Sequence, residues 1–180
     1  ASGGRLAGII SSRGEFLKVE TDESGRVLCV SVNQDGEEVK LVRYRYDDRG
    51  DMVETIDALD ASKHFVYSGG HLLVLLTNQG GMSFHWEYEG KGENARCVHT
   101  WGDGGVMEYF IRYGKGYTHI RNGENAETEY YYGEDKLIYK IVDANGGITR
   151  HQYNSFQELE VTVNPEGYTR KTAYNEFGQP

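Results

Sequence analysis

The 180-residue chain sets 19 Lys and Arg against 28 Asp and Glu, a formal charge of −9, and is only 38% hydrophobic. That balance argues against nucleic acid, whose binders need clustered cations to displace counterions from phosphate. No basic stretch leads into an apolar run and no 18 apolar residues stand together, so neither a signal peptide nor a membrane span is expected.

From the N-terminus onward one pattern returns. Gly4-Arg5-Leu6 sits 21 residues before Gly25-Arg26-Val27, and Thr21-Asp22-Glu23-Ser24-Gly25-Arg26-Val27 has the shape of Tyr46-Asp47-Asp48-Arg49-Gly50-Asp51-Met52. A tyrosine then recurs at Tyr46, Tyr67, Tyr88, Tyr113, Tyr132, Tyr153 and Tyr174, in steps of 21, 21, 25, 19, 21 and 21. Ten residues before each tyrosine from Tyr67 on stands an Asx residue: Asp57, Asn78, Asp103, Asn122, Asp143 and Asn164. Two series locked in phase mark a repeat protein. These residues are its structural signature.

Each unit carries two turns, one after the tyrosine and one halfway to the next. Ser11-Ser12-Arg13-Gly14, Asp143-Ala144-Asn145-Gly146 and Asn164-Pro165-Glu166-Gly167 share a polar residue followed three later by glycine, the chemistry of a tight reverse turn. Between turns the residues alternate with period two. Leu137, Tyr139 and Ile141 are expected on one face of their strand, and Leu159, Val161 and Val163 on one face of theirs. The residue two before the tyrosine is often aromatic, as in Tyr44, Phe65, Trp86 and Tyr130, whereas Ile111, His151 and Thr172 take that place elsewhere. Stacked in register, such pairs are expected to form ladders of rings. No stretch of twelve residues keeps helical periodicity without a Gly or Asx break, so the chain reads as all-β. The expectation is one array of antiparallel hairpins over 1–180, with a four-residue insertion within 93–105.

Little in the sequence points to chemistry. Cys97 and His99 share a strand face, but the paired spacings of zinc sites are absent. Cys29 and Cys97 make no disulfide framework and are expected as free, buried thiols. The recurring acids could suggest a calcium ladder, yet an Asx side chain closing its own turn is the simpler account. No G-x-S-x-G, phosphate loop or Cys–His nucleophile pattern occurs. No catalytic residue, cofactor or metal is expected. Glu93 to Gly105, where the rhythm breaks, is a candidate contact loop or merely a longer hairpin.

Tyr46-Asp47-Asp48-Arg49-Gly50-Asp51-Met52 followed by Asp57, with the 21-residue period, resembles the YD repeat of the Rhs proteins over essentially the whole chain. Cys97-Val98-His99-Thr100-Trp101-Gly102-Asp103-Gly104-Gly105 is similar to a segment early in Rhs core regions. Several units depart from the consensus: Ser68, Glu89, Gly114, Gly133, Asn154 and Asn175 replace Asp, and Lys136 and Gln157 stand where glycine is expected, so different turn geometry is anticipated there. The resemblance implies a long curved sheet that is part of a spiralling hollow β-shell. It implies a non-catalytic segment that encloses and helps deliver a C-terminal toxin, in a bacterial protein that is secreted or at the cell surface. The implied partners are neighbouring YD repeats of the parent chain and the enclosed toxin domain. Both ends fall inside a repeat, so a fragment of a longer protein is expected, with edge-to-edge self-association through its bare strands. The alternative reading is an adhesion scaffold that recognises a partner protein or glycan, favoured if Trp86 or Trp101 is exposed.

Overall fold

The segment Asp47 to Asp51 shows how the elements are made. The Gly50 amide donates to the Asp47 carbonyl at 3.0 Å and the Asp47 amide to the Asp51 carbonyl at 2.9 Å, while Gly50 takes φ 89°. This is a three-residue hairpin loop, a type I turn followed by a left-handed residue, whose twist matches that of the paired strands. The same pair of bonds recurs at Asp22–Arg26, Asp57–Ala61, Asn78–Met82, Asn122–Ala126, Asp143–Gly147, Asn154–Glu158, Asn164–Tyr168 and Asn175–Gln179. A chain that reverses every ten or so residues has no room for a helix beyond short 3-10 turns.

The computed structural model describes residues 4–180; Ala1, Ser2 and Gly3, the first residues of the expected array, lie outside the described residues. By internal contacts the chain divides into two units, Ala1–Trp86 with Lys91–Glu93, and Glu87–Gly90 with Asn94–Pro180. In the first, β1 (Gly8–Ile10), β2 (Phe16–Thr21), β3 (Val27–Gln34), β4 (Glu37–Tyr46), β5 (Met52–Asp57), β6 (Ser62–Tyr67) and β7 (Leu73–Thr77) pair antiparallel with their sequence neighbours, and β8 (Ser83–Glu89) begins against β7. In the second, β9 (Arg96–Gly102), β10 (Val106–Gly114), β11 (Tyr117–Asn122), β12 (Glu127–Tyr132), β13 (Ile138–Val142), β14 (Ile148–Tyr153), β15 (Leu159–Val163) and β16 (Thr169–Lys171) do the same. The all-β, hairpin-by-hairpin reading of the sequence describes both units.

The strand parity departs from the simple alternation. Tyr132 lies opposite Ile138 but Tyr131 opposite Lys140, which leaves Tyr139 as an extra, bulged residue. Glu160 is bulged in the same way between Leu159, opposite Tyr153, and Val161, opposite Gln152. Leu137, Tyr139 and Ile141 therefore do not share a face, nor do Leu159, Val161 and Val163; Ile138 and Ile141 instead lie on the side of Tyr132 and Tyr130. A bulge swaps the faces of everything beyond it. Val53 and Val74 hold the equivalent place after Tyr46 and Tyr67. The bulge recurs past the Tyr46, Tyr67, Tyr132 and Tyr153 turns, whereas β11 returns from Tyr113 in unbroken register.

Burial is shallow. Among described hydrophobic residues only Val19, Cys29 and Ile56 are buried, all in the first unit. In the second, the buried residues are Gly102 and His119. Side chains here are covered by neighbours on adjacent strands and not by an opposing layer, the packing of a one-dimensional repeat.

Lys136 and Gln157 do not change the turn. Lys136 has φ 66° and Gln157 φ 65°, and their amides close onto Gly133 at 3.1 Å and Asn154 at 3.0 Å as a glycine would. A side chain in the left-handed region costs about 1–2 kcal/mol, partly offset in glycine by its larger unfolded entropy. We expect Gln157→Gly to stabilise the chain by roughly 0.5–1 kcal/mol, read as a higher urea midpoint at unchanged slope.

Candidate functional site

The repeat tyrosines act through their hydroxyls. Tyr46 donates to the Val27 carbonyl at 3.0 Å, Tyr113 to Cys97 at 2.8 Å, Tyr132 to Tyr117 at 3.4 Å, Tyr153 to Ile138 at 2.9 Å and Tyr174 to Leu159 at 2.9 Å. Each acceptor lies at or near the start of a strand in the same hairpin pair, next to the preceding tyrosine turn. Burial pushes the Tyr46, Tyr67, Tyr88 and Tyr113 phenols above their ordinary range, which keeps the donating hydroxyls of Tyr46 and Tyr113 protonated. The recurring tie is thus hydroxyl to carbonyl, not the expected ring-on-ring ladder. Ring pairs do occur, at Tyr117–Tyr131, with centroids 5.8 Å apart, and at His151–Tyr153, 6.5 Å.

The Asx series acts through its side-chain oxygens. Oδ1 accepts from the amides two and four residues on at Asp57 (Leu59, 2.8 Å; Ala61, 3.0 Å), Asn78 (Gly80, 2.9 Å; Met82, 3.1 Å), Asn122 (Glu124, 3.1 Å; Ala126, 2.8 Å) and Asp143 (Asn145, 2.9 Å; Gly147, 2.8 Å). Asn164 accepts from Tyr168 at 2.8 Å. Asp103 departs from this, opening a short 3-10 turn over Asp103–Gly105 in which Gly104 has φ 71°. In the tyrosine turns Asp22, Asp47, Asn154 and Asn175 make the same paired bonds. For Asp22 and Asp47, partial burial pulls the carboxyl pKa up, but the arginine and backbone donors around each outweigh it and hold it below the usual range.

The four extra residues of the 25-residue step fall between Tyr88 and Asp103, which are 15 apart against 11 for Tyr67 and Asn78. They lie before β9, where the chain makes the 3-10 turn Gly92–Asn94, and β9 itself is an ordinary strand. On its side away from Tyr113, His99 stacks on Trp101 at 4.2 Å and on Phe110 at 4.3 Å. Its Nε2 is 3.0 Å from Glu108 and its Nδ1 3.4 Å from Glu87, and the Arg121 guanidinium covers Phe110 at 4.1 Å. The two carboxylates meet opposite ends of one imidazole, so they do not converge on a common point. Among the described residues no three His, Cys, Asp or Glu gather as metal ligands. Both cysteines are free; Cys29 is buried, whereas Cys97 is half-buried.

No family model matches the chain. Toxin protein Tse5 of Pseudomonas aeruginosa is 26% identical over 142 residues, 77% of this chain and 11% of that protein. The crystal structure of TcdB2-TccC3-Cdc42 matches 98% of this chain with a TM-score of 0.56 at 12% identity, over 12% of its own chain. The Photorhabdus luminescens Tc holotoxin pore matches 96% at a TM-score of 0.49. The repeat signature, one strand for each half-period, and the match to a toxin protein agree. The chain is similar to Rhs-type YD-repeat arrays. It spans only 11 to 12% of the length of the Tse5 and TcdB2-TccC3-Cdc42 chains.

Within this YD array the sequence did not flag the turn-to-turn ties. Arg5 Nη2 donates to the Glu23 carbonyl at 2.6 Å, and Arg49 Nη1 to that of Ser68 at 3.0 Å. His71, at φ 61°, sets its Nδ1 2.7 Å from the buried Asp51 carboxylate. Arg5, Arg26 and Arg49 recur at nearly the repeat interval and were the available signal; nothing local to His71 announced its partner.

Two consequences are measurable. Tyr153→Phe, which keeps the ring and deletes the hydroxyl bond, should cost about 0.5–1.5 kcal/mol, seen by urea unfolding, and a neutral result would make the ring alone responsible. Asp47 has a lowered folded pKa, so its contribution is present above the unfolded value near pH 3.9 and is lost as pH falls through the folded one. Asp47→Asn keeps the turn's acceptor oxygen, as Asn78 does, but not the titration. We expect it to flatten the acid arm of stability below about pH 4 in far-UV circular dichroism, by lowering stability at neutral pH while leaving it little changed in acid.

Proposed function

We propose that this array is a non-catalytic wall segment of a YD-repeat shell that encloses a C-terminal toxin and helps deliver it in competition between bacteria, outside the producing cell. The observation that carries the reading is the combination of an indefinitely extendable hairpin unit with 26% identity to toxin protein Tse5 over 142 residues. A wall must add strands without a second layer. Here five of the repeat tyrosines and five of the six Asx residues bond within their own hairpin, and few side chains are fully buried, so length can grow with little change in the unit.

β1 and β16 each have one partner strand among the described residues. Their free sides are where neighbouring YD repeats of the parent chain would pair, and where an isolated piece would self-associate. The adhesive reading has less support: Trp86 and Trp101 are half-buried and offer no open ring platform.

Limited proteolysis of the full-length parent, with mass spectrometry of the surviving fragments, tests the proposal. The C-terminal domain should persist within the intact repeats while the same domain, free, is digested. Immediate loss of that domain, with repeats that still bind cells or glycans, would establish an adhesive scaffold instead.

A further inference from the structure

On the tyrosine side of the second unit lies a groove of about 520 Å³ between the repeat tyrosines Tyr113 and Tyr132, floored by Ile120, Tyr130 and Ile138. These side chains are brought together by register, since Ile111 opposes Ile120, Thr118 opposes Tyr130, and Tyr132 opposes Ile138. The groove continues into a second hollow of about 410 Å³ that shares Ile120 and Tyr130. No carboxylate lines either one, in a chain whose net charge is −9.

Two cations stand at the rim. The Arg96 guanidinium lies 5.1 Å from the centre of the Tyr113 ring, and the Lys136 ammonium 5.6 Å from that of Tyr132. Both are exposed, and neither has an ion-pair partner among the described residues. Lys136 takes the left-handed turn position at φ 66°, as Asp60, His71, Asn125 and Gln157 do in their turns, and here its side chain reaches over the Tyr132 ring. A cation over an aromatic ring keeps its charge while shedding part of its hydration, which prepares it to take a carboxylate.

From these features we infer that the groove binds an extended peptide segment bearing two carboxylates that flank apolar side chains. Charge complementarity selects this occupant: an apolar floor takes the aliphatic groups, and Arg96 and Lys136 take the acids at either end. The rings that the two cations cover, Tyr113 and Tyr132, stand on β10 and β12, two strand spacings or about 10 Å apart. An extended chain covers that span in about three to four residues. A polyanion such as nucleic acid or a sulfated glycan fits poorly, because two cations in a field of net negative charge do not offset its repeating charge. Peptide binding here does not depend on the enclosure proposed above and would hold in an open scaffold.

The probe is the blocked peptide Asp-Leu-Thr-Leu-Asp, titrated calorimetrically into the 180-residue chain at low and moderate salt. We expect saturable one-to-one binding that weakens with salt, falls at least tenfold in the Arg96→Ala/Lys136→Ala double variant, and falls similarly when both aspartates of the peptide become asparagine. Arg96→Lys, which keeps the charge, should recover most of the loss at that site, and circular dichroism should show each variant folded. No saturable binding, equal affinity for the asparagine peptide, binding unchanged in the double variant, or tighter binding of a sulfated oligosaccharide would each overturn the assignment.

Discussion

The interaction on which everything else rests is an Asx side-chain oxygen accepting the amides two and four residues ahead of it. A chain that reverses direction about every ten residues leaves backbone groups unpaired at each tip, and an unpaired group costs free energy wherever water is partly excluded. The Asx oxygen satisfies two of those amides, and the left-handed residue at the fourth position closes the loop to the paired strands. Because the bonds are internal to five residues, every turn is complete without help from a distant part of the fold. That self-sufficiency permits a repeat of strands in sequence order with little buried core.

The tyrosine hydroxyl links the next level. By bonding a carbonyl beside the preceding tyrosine turn, at 2.9 Å in both Tyr153 and Tyr174, it ties the two strands of one hairpin together at the end away from its Asx turn. The bulge one residue into the returning strand, at Tyr139 or Glu160, keeps Ile138 and Leu159 opposite the repeat tyrosines while it shifts the face of the residues that follow. The two sides of the sheet then differ in chemistry. In the second unit one side carries the repeat tyrosines and aliphatic side chains, and the other carries His99 between Glu87 and Glu108.

For the proposed wall role, the consequence is that what matters is what the faces present and how far the array extends. The turn-and-hydroxyl frame tolerates a change of side chain at a single position. Lys136 illustrates it: the turn closes as with glycine, and the replaced residue puts a charge over the Tyr132 ring.

The sequence by itself determined the period, the all-β class, the turn positions and the residues that close them, because each of those depends on contacts within a few residues of one another. It also carried the family resemblance, through the Tyr46–Met52 and Cys97–Gly105 segments. Three features were decided only by tertiary structure. The bulges at Tyr139 and Glu160 reverse the face of every residue beyond them, and alternation in sequence is blind to one unpaired residue. The tyrosine hydroxyls choose a carbonyl 15 to 19 residues upstream in place of a neighbouring ring, a choice set by strand spacing. The pairing of Asp51 with His71 and the cation-rimmed groove of Arg96, Tyr113, Tyr132 and Lys136 join residues 20 to 40 apart in the chain, and only the register of the intervening strands brings them onto one surface.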